Sequence, residues 1–371
     1  MQFDFNEQQN EFRQEARRFL AAECSTERVR KALEGGGFDR ALWQGVAEMG
    51  FLGIAIPEEH GGLGLGYLEL CAVAEEFGRA IAPLPILSSV YLAAEAIKSF
   101  GTAEQQAAWL PKIAAGAAIG CLASVEGGRL TDKNVRVSFA NNTISGIKTP
   151  VLDGDIADVA IVLAKDADGL SLFLVDLSQE GVTRKSLDTI DPTRGQAELT
   201  FNNAPAERLG ERGEGWTSLQ TLLDRAAVLV AFEQIGGADR ALEMGRDYSL
   251  ERMAFGRQIG SFQAIKHMLA DMYVSATLAR SNAYYGAWAL STGAAELPRA
   301  AATARVSATN AFRHCAKNNI QVHGGMGFTW QMDCHLFYRR SNQLALALGS
   351  LPDWEEKLVT RLAAGNEPLA A

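Results

Sequence analysis

The chain has 371 residues, more than one hydrophobic core commonly supports, so two or three structural units are expected. Apolar residues make up 47% and charged residues 21%, the balance of an ordinary globular protein. The net charge of −9 argues against a nucleic-acid binder, which needs a basic face, and no run of about 18 apolar residues marks a membrane span.

The opening stretch, MQFDFNEQQNEFRQEARRFL, is polar from its start and lacks the apolar core of a signal peptide. It reads as an amphipathic helix with Phe12, Ala16, Phe19 and Leu20 on one face. FDRALWQGVAEMG is a second helix stopped by Gly50. The turn-rich FLGIAIPEEHGGLGLG leads into further helices, and Thr102 can cap the one that carries Glu104 and Gln105 in its first turn. After about Gly116 the pattern changes. VRVSFANNTISGIKTPV alternates with period two around an Asn-Asn turn, and ADVAIVLAK, LSLFLVDL, VTRKSL and AELTFNNAPA continue as short β-rich runs. No helix-length segment separates these runs, so an antiparallel, barrel-like β unit is expected. From GWTSLQTLL onward the long helical runs of an antiparallel bundle return. The expected fold class is α+β multidomain: an N-terminal helical domain (1–116), a middle antiparallel β domain (117–212) and a C-terminal four-helix bundle (213–371).

Several chemistries find no support. GGLGLG (61–66) neither fits GxGxxG nor sits in a βαβ unit, so it is read as a turn that needs positive φ. The histidines at 60, 267, 314, 323 and 335 show no metal spacing and are read as solvated or core-edge side chains. Cys24, Cys71, Cys121, Cys315 and Cys334 are odd in number and free of CxxC spacing, which suits a reducing, cytoplasmic setting. No GxSxG or Cys/His signature marks a covalent nucleophile. Two segments remain as ligand candidates. ERMAFGRQIGSFQ (251–263) breaks a helical region yet carries Arg252, Arg257 and Gln263; QVHGGMGF (321–328) ends a long helix in Gly324, Gly325 and Gly327 beside Gln321. A guanidinium fork and Cβ-free backbone suit a phosphorylated ligand; a helix-end turn accounts for both segments equally well.

Taken together on this α–β–α frame, IPEEHGGLGLGYLELCAVAEEFGR, RLGERGEGW, ERMAFGRQIGSFQAIKHMLADM and QVHGGMGF resemble the acyl-CoA dehydrogenase family over nearly the whole chain. The resemblance implies FAD as cofactor, an acyl-CoA thioester as substrate and an electron-transfer flavoprotein as acceptor. It implies that Arg252 holds the pyrophosphate, that Phe255 and Gln263 line the adenosine side, and that Gln321, Gly324 and Gly325 contribute from the later motif.

The flavin-ring half departs from the family pattern. A Thr-Glu-Pro-Gly-like run is replaced by ASVEGGRLTD, and a Lys-x-Trp-Ile-Thr-Asn-Gly-like run by KTPVLDG, which puts Pro150 and Leu152 where an aromatic and a threonine are usual. Family members take the substrate α-proton with a glutamate. Ungapped counting places Leu348 at one of its two known positions and Ala226 at the other. Asp224 lies two residues from Ala226, about 200° around a helix, and is expected to be a surface acid beside Arg225. No catalytic residue is therefore assigned. The sequence resembles the degenerate subunit of heteromeric bacterial acyl-CoA dehydrogenases, known for example from sterol side-chain breakdown, which pairs with a base-bearing subunit in an α2β2 tetramer. A homotetramer using Asp224, or a non-catalytic structural homologue, are the alternatives.

Overall fold

The computed structural model describes residues 5–35 and 38–365. Helices fill the first third of the chain: α1 (Glu7–Glu23), α2 (Thr26–Gly35), α3 (Arg40–Glu48), α4 (Tyr67–Arg79), a π-wound segment at Leu87–Ala94 running into α5 (Glu95–Phe100), and α6 (Ala103–Ala114). Their ends follow the sequence signals. Asn6 and Thr102 each form a capping box with a glutamine three residues on, and Gly50 has φ 77° after α3. In the GGLGLG turn, Gly61 and Gly64 have φ 76° and 61°. A Cβ on Gly62 would lie 2.1 Å from the Ile56 carbonyl oxygen, so glycine is required there by close approach.

The sheet comprises β1 (Gly120–Ala123), β2 (Ser138–Ala140), β3 (Thr143–Leu152), β4 (Val159–Asp166), β5 (Gly169–Asp176), β6 (Val182–Ser186), β7 (Gln196–Pro205) and β8 (Glu207–Leu209). Its order is β6-β7-β3-β2-β4-β5-β8, with β1 attached to β4. Asn141 and Asn142 have φ 51° and 59°, the backbone that joins β2 to β3 as a tight hairpin. The expectation of a purely antiparallel unit needs correction. β1 pairs with β4 in parallel, from Gly120↔Val159 to Ala123↔Val162, and β2 touches β4 in parallel at Ser138↔Lys165. The crossover between β1 and β4 is the β2–β3 hairpin itself, which returns the chain in its original direction without a helix.

The C-terminal helices are α7 (Gly215–Glu251), α8 (Gln263–Thr292), α9 (Leu297–His323), α10 (Cys334–Leu346) and α11 (Leu351–Gly365). Between α7 and α8 lies a two-stranded ribbon of β9 (Met253–Ala254) and β10 (Arg257–Gln258). The expected α+β plan of helices flanking a central sheet is what the chain adopts. No described helix is long and apolar enough to cross a membrane.

The chain packs as two compact units. The first takes residues 5–29, 67–82 and 227–365; the second takes 30–66 and 83–226. In the first, α4 and α7 cross with their backbones in contact. A Cβ on Gly78 would meet the Glu233 carbonyl oxygen at 1.7 Å, and one on Gly236 would meet that of Glu75 at 1.8 Å. In the second, the π-wound segment packs on β1, where Ser89 Oγ accepts the Gly120 N–H at 3.1 Å.

Candidate functional site

The segment read as a broken helix is a hairpin in the first unit. Phe255 and Gly256 form its tip with φ 53° and 78°, and the Ile259 N–H closes its base on the Arg252 carbonyl at 2.9 Å. Phe255 is 95% exposed, an orientation no core-filling role explains. Arg257 lies across the hairpin with its guanidinium 4.0 Å from the Phe262 ring centroid, and Phe255 meets the same ring edge-on at 6.2 Å. Arg252 is exposed, and no ion pair or side-chain hydrogen bond engages it among the described residues. Gln263 is the first residue of α8, a 30-residue helix whose N-cap residue, Phe262, supplies no side-chain cap. One hairpin thus carries an unengaged guanidinium at its base and leads into a helix N-terminus without a side-chain cap, and each of these features favours an anion.

The second motif lies at the C-terminal end of α9. Gln321 is exposed, Gly324 turns the chain with φ 57°, and neither Gly324 nor Gly325 would bring a Cβ within 4 Å of any atom. This is bare backbone open to a ligand. His323, just before it, is buried and stacks on Tyr248 of α7 with ring centroids 4.1 Å apart and planes at 24°. Its Nδ1 lies 2.8 Å from the Asn319 carbonyl oxygen, and burial lowers its pKa against the pull of that bond. The reading of the histidines as solvated or core-edge fails here, because the stack closes over the ring. Nothing in residue spacing reveals a partner on another helix.

In the second unit the two runs that depart from the family pattern are neighbours in space. Thr149 donates its N–H to the Val125 carbonyl at 2.9 Å and accepts the Gly127 N–H at 2.6 Å. Beneath them Lys148, fully buried, donates through Nζ to Glu126 Oε1 at 2.6 Å and to the Ser124 carbonyl at 3.2 Å. Glu126 also accepts the N–H groups of Arg136 and Val137. Burial pushes the Lys148 pKa down against the Glu126 carboxylate. Burial works upward on Glu126 too, but the Lys148 hydrogen bond and charge and the two N–H bonds outweigh it and hold its pKa low. Spacing did not single out this buried pair. Pro150 is exposed and Leu152 half-buried, and neither can hydrogen-bond to a planar heterocycle through its side chain.

Neither candidate position for a base carries an acid. Leu348 is buried, and its carbonyl accepts the Trp354 indole N–H at 3.0 Å; Ala226 is fully buried. Asp224 is not the surface acid the sequence suggested: it is 4% exposed and already has partners. Arg225 instead serves Glu95, with Nη1 2.6 Å from Oε1, and Lys98 takes the other carboxylate oxygen at 2.7 Å. Two cations thus sequester Glu95 as well.

Residues 6–117 match the family model "Acyl-CoA dehydrogenase, N-terminal domain" and residues 213–351 match "Acyl-CoA dehydrogenase, C-terminal domain". The chain is 35% identical over 315 residues to acyl-CoA dehydrogenase IpdE2 of Mycobacterium tuberculosis, covering 85% of this chain and 84% of that one. Among solved structures it superposes on the ChsE4-ChsE5 complex from Mycobacterium tuberculosis with TM-score 0.90 and 29% identity, covering 100% of both chains. It is also similar to the Tcur3481-Tcur3483 steroid ACAD, with TM-score 0.88 and 31% identity, covering 97% of this chain and 98% of that one.

Proposed function

Because the chain belongs to the acyl-CoA dehydrogenase family, a group of flavin-linked oxidoreductases acting on CH–CH bonds, we propose that it is the ADP-clamping subunit of a heteromeric, FAD-dependent enzyme. A second dehydrogenase-like chain, in an α2β2 tetramer, supplies the base and the flavin-ring contacts. The assembly oxidises an acyl-CoA thioester to the 2,3-enoyl-CoA and passes electrons to an electron-transfer flavoprotein. The observation that carries this reading is a contrast within one chain: Arg252, directly after α7, has no ion pair or side-chain hydrogen bond among the described residues, while the base position holds buried Leu348.

FAD fits one half of this chain. Arg252 presents its donor fork to the pyrophosphate, the α8 N-terminus with Gln263 adds N–H groups, and Gln321, Gly324 and Gly325 offer an amide and open backbone. The other half does not fit, because the Val125 carbonyl, the Gly127 N–H and both Thr149 backbone groups pair with one another. When bound, FAD supplies the acceptor for the β-hydrogen of the thioester. This chain's part is to bind and orient it. The exposed apolar side chains Leu250, Met253, Phe255, Tyr273, Leu278 and Phe328 give the surface on which the second subunit docks. A sterol-derived or other bulky acyl group and a cytoplasmic location accord with this reading, as does the division into helical (1–116), β (117–212) and bundle (213–371) domains.

The test is to express the chain alone and together with a family member carrying the glutamate, then count flavin per chain by absorbance. Alone, it should purify nearly colourless; the pair should hold FAD and turn over acyl-CoA. One FAD per chain in the lone protein, with turnover, would establish a homomeric enzyme instead.

A further inference from the structure

The Tyr248–His323 stack has no part in the roles assigned so far. We infer that these two side chains are positioning residues that hold the two motifs of the ADP clamp in register, an inference that rests on the clamp proposed above. Tyr248 lies one turn before Arg252 on α7, and its carbonyl accepts the Arg252 N–H at 2.9 Å. His323 is the last residue of α9, directly before the Gly324 turn. Their rings meet at 4.1 Å, so the arginine and the glycine turn, remote in sequence, share one aromatic contact.

The contact is fixed from both sides. A carbonyl oxygen only accepts, so the 2.8 Å approach of His323 Nδ1 to the Asn319 carbonyl places the hydrogen on Nδ1 and sets the ring's rotamer. The same bond adds a second donor to a carbonyl in the last turn of α9. Burial favours the neutral imidazole, and a neutral ring stacks on tyrosine without a charge to desolvate. Nearby, α7 meets α8 and α9 at ordinary contact distance around Gly245, where a Cβ would lie 3.4 Å from Leu269 Cδ2, 3.6 Å from Asn319 Oδ1 and 3.8 Å from Val322 Cβ. The stack, together with the Asn319 Nδ2 contact to Met244 Sδ at 3.9 Å, ties the two helix ends and resists sliding of one past the other. A displacement of about 1 Å is enough to spoil a multi-point ligand site.

The experiment is calorimetric titration of the full-length chain with ADP, comparing wild type with His323→Ala, His323→Leu, His323→Phe, Tyr248→Ala, Tyr248→Phe and the double alanine variant. Thermal melts check folding. Loss of an aromatic pair should weaken ADP binding by about three- to tenfold in both single alanine variants and in His323→Leu, which fills volume without a ring. Tyr248→Phe should stay within about twofold, His323→Phe should fall between wild type and His323→Leu because it keeps the ring and loses the Nδ1 bond, and the double variant should be no worse than either single one. Arg252→Ala is the reference. If Arg252→Ala weakens ADP binding while His323→Ala and His323→Leu bind as wild type, the positioning role is overturned and the clamp stands. Additive losses, or His323→Phe binding no better than His323→Leu, overturn it equally. If Arg252→Ala binds as wild type, or wild type takes no ADP at millimolar concentration, the clamp itself fails and this inference with it.

Discussion

Arg252 and Asp224 show how differently two charged residues resolve once their surroundings are visible. Arg252 is exposed and unengaged, so its removal costs the fold little and the ligand much. Hydrogen bonds to charged groups contribute about 1.5–3 kcal/mol, so Arg252→Ala should weaken FAD binding to the assembled enzyme by about 10- to 150-fold. Arg252→Lys should recover only part, since an ammonium keeps charge without the fork. Flavin titration of the apo-assembly measures both; unchanged affinity would reduce the hairpin to a turn. Arg257→Ala would instead disturb the hairpin itself, because the Arg257 guanidinium packs on Phe262. Asp224 is buried and partnered, so Asp224→Asn should leave turnover within a few-fold of wild type. A fall of about 10²–10⁴ with flavin retained would identify it as the base. Helix phase alone indicated that Asp224 points away from Ala226, but not that it points into protein. Sequence gives an angle around one helix and not what packs against it.

Among the elements, those set by local backbone demands were legible before the structure. Asn141 and Asn142 both need positive φ, and asparagine tolerates it, so the β2–β3 hairpin could be read directly. The parallel pairing of β1 with β4 could not be read, because register between distant strands depends on how the hairpin between them folds back. The Glu126–Lys148 pair escaped for the same reason, and it carries a pH prediction. The Glu126 pKa is lower folded than unfolded, so Glu126 contributes stability above the unfolded carboxylate value, near 4.3, although burial of the Lys148 charge opposes part of it. That stability is lost as pH falls through the folded value. Urea unfolding followed from pH 7 down to 3 should therefore show a shallower acid decline in Glu126→Gln, which has no such charge to lose, with lower stability at pH 7. Parallel acid limbs would show that the pair contributes no linkage. The α4–α7 crossing gives a second test. A Cβ at Gly236 would sit 1.8 Å from the Glu75 carbonyl oxygen, so Gly236→Ala must push two backbones apart. It should cost about 1–3 kcal/mol, overriding alanine's helix preference, and a stable variant would mean that the crossing yields easily.

For the molecule as a whole, the α–β–α plan could be read from motifs, and motifs also supply the residues proposed for the ADP side, whereas the surface proposed to complete the site could not be read. Periodicity identifies one buried face per helix and leaves a second face looking like ordinary surface. On α8, Tyr273, Val274 and Leu278 are 63%, 53% and 60% exposed, and Phe328 is 79% exposed. In the proposed hetero-assembly these open side chains are the interface with the second subunit. At such a position, a charge has opposite consequences in the two states. In the lone chain, Leu278→Glu places a carboxylate in water on a helix surface, where substitutions usually change stability by within about 0.5 kcal/mol. In the hetero-assembly, the same carboxylate must be buried unpaired, a penalty of several kcal/mol. Leu278→Glu should accordingly leave the melting temperature of the isolated chain almost unchanged while shifting the co-expressed pair from tetramer toward separate chains. Light scattering after size exclusion reads the mass, and flavin absorbance should fall in step with the tetramer. If the variant still forms a flavin-loaded tetramer of wild-type stability, this face of α8 points to solvent, and the docking surface must be sought elsewhere on the chain.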